Sequence, residues 1–198
     1  MKLQITQIGE EVLRGEAREL SREEILSATT QELIEHMRET MRSAPGVGLA
    51  APQVGMPLQL AVIEDREEYH AKLAPAQLFE RERKPVPFHV LINPRIVARQ
   101  GSAVEFFEGC LSVTGYAAVV PRARAVTVEC LDERAQRRRV EATGWYARIL
   151  QHEIDHLNGV LYVDRMLSRT FTTLENLERM WKDLPMPDLL KRLKARGR

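Results

Sequence analysis

The chain has little cysteine, few aromatic residues and no long apolar run. Two cysteines among 198 residues cannot build a disulfide framework, and a reducing compartment is their natural setting. No stretch approaches the roughly 20 apolar residues that a membrane-spanning helix needs, so no membrane partner is expected. Neither sign of charge is in excess. The 29 Lys and Arg stand against 28 Asp and Glu, a formal net charge of +1, which gives no overall pull towards DNA or RNA and leaves only local attraction. The first twenty residues carry Glu10, Glu11, Glu16 and Glu19, unlike a secretory signal or an Arg-rich transit peptide, so a cytoplasmic protein is expected. What is present, 44% hydrophobic and 29% charged residues, is an ordinary globular composition at a length that suits one domain.

Against that background one stretch stands apart: Gln151-His152-Glu153-Ile154-Asp155-His156-Leu157-Asn158-Gly159. On a helix, imidazoles at i and i+4 project from one face, one turn apart, and can grip one cation, with Glu153 beside them as a general base for water. The helix is expected from Thr143 as N-cap, a Gly- and Pro-free run over 145–157 and the stop signal Asn158-Gly159. Trp145, Ile149 and Leu150 give it apolar cover. Two histidines leave a third ligand to be found, and Cys110, in Glu108-Gly109-Cys110-Leu111-Ser112 at a strand end, is the candidate. One Cys and two His leave the fourth tetrahedral position open, as catalytic rather than structural sites do. Cys130, by contrast, alternates with Val126 and Val128 on one strand face and reads as a small buried hydrophobe. His70 and His89 have no ligand-like neighbours and read as structural or solvated.

Elsewhere the signals are local and mixed. Ser21-Arg22-Glu23-Glu24 has the form of a capping box, and Leu26, Leu33, Met37 and Met41 keep helical spacing, predicting one helix over about 22–42 that ends before Pro45. Residues 58–64 read as a strand, and 65–87, dense in charge and proline, as a surface excursion with a short helical turn. Segments 89–92, 96–98, 102–107, 119–121 and 125–131 read as strands, with Asn93-Pro94 as a turn and Gln100-Gly101 at the centre of a meander. Segment 137–142 reads as the return of a hairpin and 161–163 as a last strand. Leu174, Leu177 and Trp181 recur at helical spacing within 168–184.

Three blocks, Gly46-Val47-Gly48-Leu49-Ala50-Ala51-Pro52-Gln53, Glu108-Gly109-Cys110-Leu111-Ser112 and the His-Glu motif above, resemble the three signature motifs of the peptide deformylases in order and nearly letter for letter. The resemblance covers roughly residues 1–165. It implies an α+β fold, antiparallel β-sheets packed around a central helix carrying the HExxH metal motif, with an N-terminal and a C-terminal helix. It implies removal of the formyl group from the N-terminal formyl-methionine of nascent polypeptides, with release of formate. One ion per chain, Fe2+ or in its place Zn2+, Ni2+ or Co2+, would be held by Cys110, His152 and His156. Glu153 would be the general base, while the Gln53 amide and the Leu111 backbone N–H would face the developing oxyanion. Val47, Gly48 and Gly109 would pair with the substrate backbone, and Trp145, Arg148 and Ile149 would shape the methionine pocket. Glu108 and Arg122 match a structural ion pair. One departure is Tyr116-Ala117-Ala118, where many bacterial relatives carry an Arg; this segment and 144–150 look more like the mitochondrial and plastid branch.

Two other readings compete. A zinc peptidase shares the H-E-x-x-H sign but mostly draws its third ligand from downstream, where Asp164 is the close acidic candidate. A non-catalytic metal-binding module would need neither Glu153 nor Gln53. The expected organisation is a catalytic domain over 1–184 and a basic tail over 185–198. In that tail Asp188 is expected to cap a short helix, with Leu189, Leu190 and Leu193 on one side and Lys191, Arg192, Lys194, Arg196 and Arg198 forming a cationic cluster suited to ribosomal RNA.

Overall fold

A strand buried from end to end needs cover on both faces, and the strand over Leu60–Asp65 is buried throughout. A computed structural model of the chain describes residues 1–71, 73–182 and 184–195. Its order is α1 (Arg22–Leu26), α2 (Ala28–Ser43), β1 (Gly48–Ala50), β2 (Leu60–Asp65), α3 (Glu67–His70), α4 (Pro75–Glu80), β3 (Val86–Cys110), β4 (Val113–Leu131), β5 (Arg137–Thr143), α5 (Gly144–Leu157), α6 (Tyr162–Arg165), β6 (Thr172–Thr173), α7 (Leu174–Asn176) and α8 (Met186–Ala195). The strands pair antiparallel in the order β1-β2-β3-β4-β5, with β6 added to β4.

Period-two alternation along β2 and β3 explains the layers. Leu60 and Val62, with Val90 and Ile92, join Ile34, Met37 and Met41 of α2. Ala61 and Ile63, with Leu91, join Ile149, Leu150, Ile154 and Leu157 of α5. The sheet therefore lies between two helices, and α5, which carries both histidines, is anchored on a fully apolar face. Among the described residues no helix is long and apolar enough to cross a membrane.

The structure corrects several local expectations. The N-terminal helix is two helices, because Ser27 is extended and its hydroxyl caps Thr30 N–H. The break shifts the helical phase, so Ile25 and Ile34 are buried while Leu26 is half exposed. The capping box at Ser21 and Glu24 is present. Asn93 does not turn the chain: it takes a left-handed conformation at a bulge, and β3 continues through it to Cys110. Gln100-Gly101 marks a further register shift in the same strand. Residues 161–163 are not a strand; Tyr162–Arg165 form a helical turn, since Asp164 accepts the Leu161 N–H and closes it. Residues 168–184 are not one helix, because Thr172–Thr173 pair with Ala117 and Tyr116 before α7 begins.

Thr143 sits at the N-cap of α5, but its side chain makes no capping bond. The chain enters α5 through left-handed Gly144, where a Cβ would lie 2.8 Å from the Arg81 carbonyl oxygen, so only glycine fits the strand-to-helix corner. In the C-terminal tail, helix α8 starts at Met186, ahead of Asp188, and Leu189 is fully buried. Arg196 and Arg198 lie outside the described residues.

Candidate metal centre

Helix α5 and the tip of the β3–β4 hairpin bring the three expected ligands together. The ligand atoms of Cys110, His152 and His156 all lie within 4.8 Å of one another, and Cys110 Sγ is 3.3 Å from His156 Nε2. His152 engages the Glu108 carboxylate through Nδ1 at 2.9 Å, which leaves Nε2 as its ligating atom, the usual arrangement for a metal-bound imidazole. His156 is 1% exposed and its Nδ1 has no hydrogen-bond partner among the described residues, so packing and the Nε2 contact with Cys110 set that ring. Burial pushes His156 well below the usual imidazole range and keeps it neutral, as a ligand must be. For His152 burial acts in the same direction, but the hydrogen bonds to Cys110 and Glu108 outweigh it and carry the ring well above that range. The Glu108 carboxylate and the Cys110 sulfur flank this ring, and acceptors so placed suit a cation.

Glu153 lies next in the helix, 3% exposed, with Oε2 lacking a hydrogen-bond partner among the described residues. Burial pushes its carboxyl up to about 7; a cation bound beside it acts in the opposite sense. A buried carboxylate with a free oxygen beside three convergent soft and borderline donors fits a catalytic divalent ion. Gln53 stands on the 3-10 turn over Ala51–Val54. Its Oε1 accepts the Ala50 N–H at 2.9 Å, which turns its amide nitrogen towards Cys110 Sγ (3.4 Å) and Ser112 Oγ (3.2 Å).

These groups open on a cavity of about 360 Å³. Val47, Gly48, Gly109, Leu111, Trp145 and Ile149, the remaining residues expected at the site, all line it. Gly48 is constrained by contact rather than by conformation. A Cβ there would overlap the Glu153 carboxylate and come within 2.8 Å of its Cγ. Gly48→Ala is therefore expected to displace the carboxylate and lower turnover about 10²-fold with metal content unchanged. Activity within twofold of the parent in a steady-state assay would contradict this reading of the contact.

Behind the ligands lies a buried ionic network that sequence reasoning saw only in part. Glu108 and Arg122 form the expected pair, bidentate at 2.9 Å. Glu108 also receives Arg148 at 2.7 Å, and Arg122 reaches on to Asp155, which Arg165 grips at 2.6 and 2.8 Å. Burial works against the charge on Glu108, yet the bonds from His152 and Arg122 hold its carboxyl well below the usual carboxylate range. Burial lowers Arg148 to about 10. Arg148 Nη1 and Nη2 also donate to the carbonyls of Val120 and Val104, so this residue holds the scaffold together as well as lining the cavity. Tyr162 stacks on His152, with ring centroids 6.3 Å apart and planes 19° apart. Asp155 and Tyr162 were not foreseen; an acid in a helix face otherwise turned to the core was the available signal for the first. Asp164 is engaged with Arg14 at 2.5 Å and caps α6, away from the ligand cluster. Cys130 is buried, and burial raises its thiol to about 11. His70 Nε2 lies 3.2 Å from Asp65 Oδ1 and His89 Nε2 is 2.9 Å from the Tyr146 hydroxyl; neither histidine joins the ligand cluster.

Residues 2–171 match the family model described as polypeptide deformylase. The chain is 47% identical over 182 residues, 92% of its length, to a chloroplastic peptide deformylase 1A of Solanum lycopersicum, and spans 64% of that relative's length. It is similar to a Met-Ala-Ser-bound class I type b peptide deformylase of Acinetobacter baumannii, with TM-score 0.75, 32% identity and coverage of 84% of this chain and 99% of that one. It is also similar to a peptide deformylase of Synechococcus elongatus in complex with actinonin, with TM-score 0.70, 38% identity and coverage of 91% and 84%.

Proposed function

The chain belongs to the polypeptide deformylase family, and from that membership we propose that it hydrolyses the N-formyl group of formyl-methionyl nascent peptides and releases formate. The observation that carries the reading is the buried Glu153 carboxylate, its Oε2 without a partner among the described residues, beside the Cys110, His152 and His156 cluster, with Glu153, Cys110 and His152 lining one cavity. A divalent ion held by those three residues would supply Lewis acidity, polarising the formyl oxygen and lowering the pKa of a water. Glu153 takes the proton from the water that attacks the formyl carbon and returns it to the amine, which cannot leave as an anion. The Gln53 amide and the Leu111 N–H stabilise the developing oxyanion; one such donor is worth on the order of 3 kcal/mol. Val47, Gly48 and Gly109 offer backbone to the peptide as an added strand would, and Trp145 and Ile149 wall the methionine side chain. The test is formate release from formyl-Met-Ala-Ser set against cleavage of internal bonds in an unformylated peptide. Internal cleavage without formate release would support a peptidase instead.

Fe2+ is the ion proposed from the family resemblance; a thiolate with two imidazoles suits Zn2+, Ni2+ or Co2+ as well, and two cysteines without a disulfide framework fit a reducing cytoplasm. With iron bound, activity should decay in air and persist under nitrogen, because metal and thiolate are both oxidisable; equal half-lives would point to zinc or nickel.

Residues 1–184 would form the catalytic domain and 185–198 a ribosome-docking tail. Lys191 and Arg192 of α8 are exposed while Leu189 is buried, so the helix is seated with cationic groups outward. Deleting residues 189–198 is expected to weaken salt-sensitive co-sedimentation with ribosomes and to spare turnover of a free formyl-peptide. Equal pelleting of truncated and full chains would remove the docking role.

A further inference from the structure

We propose that Leu174, with the stacked pair Tyr116 and Phe171, forms an apolar recognition site for a side chain within the first two residues after formyl-methionine; this rests on the deformylase reading. Leu174 and Tyr116 line the same cavity as Cys110 and Glu153. Leu174 is 49% exposed, and Tyr116 and Phe171 are each 43% exposed. The two rings lie 5.0 Å apart and nearly parallel, at 9°. Leu174 and Tyr116 thus stand partly open in the cavity that holds Cys110 and Glu153, with Phe171 stacked on Tyr116 behind them.

The platform is fixed in place before any substrate arrives. Leu167 N–H donates to the Val119 carbonyl at 2.9 Å, and Val119 N–H donates to Thr170 Oγ1 at 2.7 Å. Tyr116 and Ala117 then pair with Thr173 and Thr172, and Thr173 Oγ1 caps Asn176 N–H. From the far side Gln77 of α4 donates to the Lys182 carbonyl at 3.1 Å. Leu174 sits between these anchors, on a segment beyond the residues 2–171 matched to the family model.

Position along the substrate follows from the hairpin. Gly109 pairs with Ala117, and a Cβ on Gly109 would touch the Tyr116 carbonyl oxygen at 3.5 Å. A peptide whose backbone runs past Gly109 and whose methionine is directed towards Trp145 and Ile149 leaves the cavity over Tyr116 and Leu174. Apolar rings and a leucine half open to water gain most from an apolar or aromatic side chain laid against them.

The experiment compares kcat and KM for formyl-Met-Ala-Ser, formyl-Met-Phe-Ser and formyl-Met-Ala-Phe in the metal-loaded full chain and in Leu174→Glu, Leu174→Met and Tyr116→Ala. The parent is expected to prefer Phe at one of the two positions by about tenfold in kcat/KM, carried by KM. Leu174→Glu and Tyr116→Ala should bring that ratio near one, and Leu174→Met should keep it. A purely structural role would lower kcat for all three peptides and preserve the ratio. The same ratio in parent and Leu174→Glu, or no preference in the parent, would overturn the proposal while leaving the deformylase reading intact. No formate from any peptide would overturn that reading itself.

Discussion

Replacing Glu153 by Ala is expected to leave one ion per chain bound while turnover of a formyl-methionyl peptide falls by about 10²–10⁴-fold, the range of a lost general acid–base group. The physical ground is the separation of roles on α5. His152 and His156 project towards Cys110, whereas Glu153 is held under Gly48 with one oxygen unpartnered. Removing its carboxylate takes no ligand from the cluster. Glu153→Gln, which keeps the shape but cannot accept the proton, should be nearly as slow. Metal analysis beside single-turnover kinetics checks both points. A Glu153→Ala protein at near-parental rate would mean that another group moves the proton.

Glu108→Ala is expected to be the most damaging substitution for stability, and to loosen the ion as well. The Glu108 carboxylate faces Arg122, Arg148 and His152, and the side chains of Glu108 and both arginines are 3–4% exposed. Deleting it leaves buried Arg122 with Asp155 and buried Arg148 with only the Val120 and Val104 carbonyls. Breaking a buried pair from one side costs about 3–5 kcal/mol, and at about 2–4 °C per kcal/mol for a chain of this size the melting temperature should drop by about 6–20 °C. His152 loses the partner that fixes its ring, so metal affinity should fall by about 10–100-fold. Thermal unfolding and metal titration of Glu108→Ala and Glu108→Gln check the two effects separately. A shift below 2 °C would show that the network is scaffolding in name only.

Legibility in the sequence followed the range of the interactions. The α5 motif was readable because its spacing, stop signal and apolar cover all lie within fifteen residues. Cys110 could be nominated from its strand-end setting and was joined to the histidines by resemblance; the contact itself spans 46 residues. Asn93-Pro94 and Gln100-Gly101 misled because a bulge and a turn use the same residues for the same reason, a left-handed or donor-free backbone. Which one forms depends on whether a partner strand continues, and here β4 does. Residues 161–163 looked like a strand on apolar content alone, but the Asp164 side chain three residues after Leu161 closes a helical turn. Ser27 carried a capping signal that the longer helical stripe concealed. The cavity walls supplied by Arg83 and Leu174 could not be read at all, since nothing local links the 65–87 excursion or the C-terminal segment to Glu153.

Deformylation by this chain is proposed to depend on one ion held by Cys110, His152 and His156. The direct measurement strips the purified chain with a chelator, returns Fe2+, Ni2+ or Zn2+ stepwise under nitrogen, and follows bound metal and formate release from formyl-Met-Ala-Ser together. Formate release is expected to be absent from the stripped chain, to rise in step with bound metal and to saturate at one ion per chain. Cys110→Ala is expected neither to retain the ion nor to recover. Full activity in the stripped chain, or a Cys110→Ala protein that binds one ion tightly and works at the parental rate, would contradict this dependence.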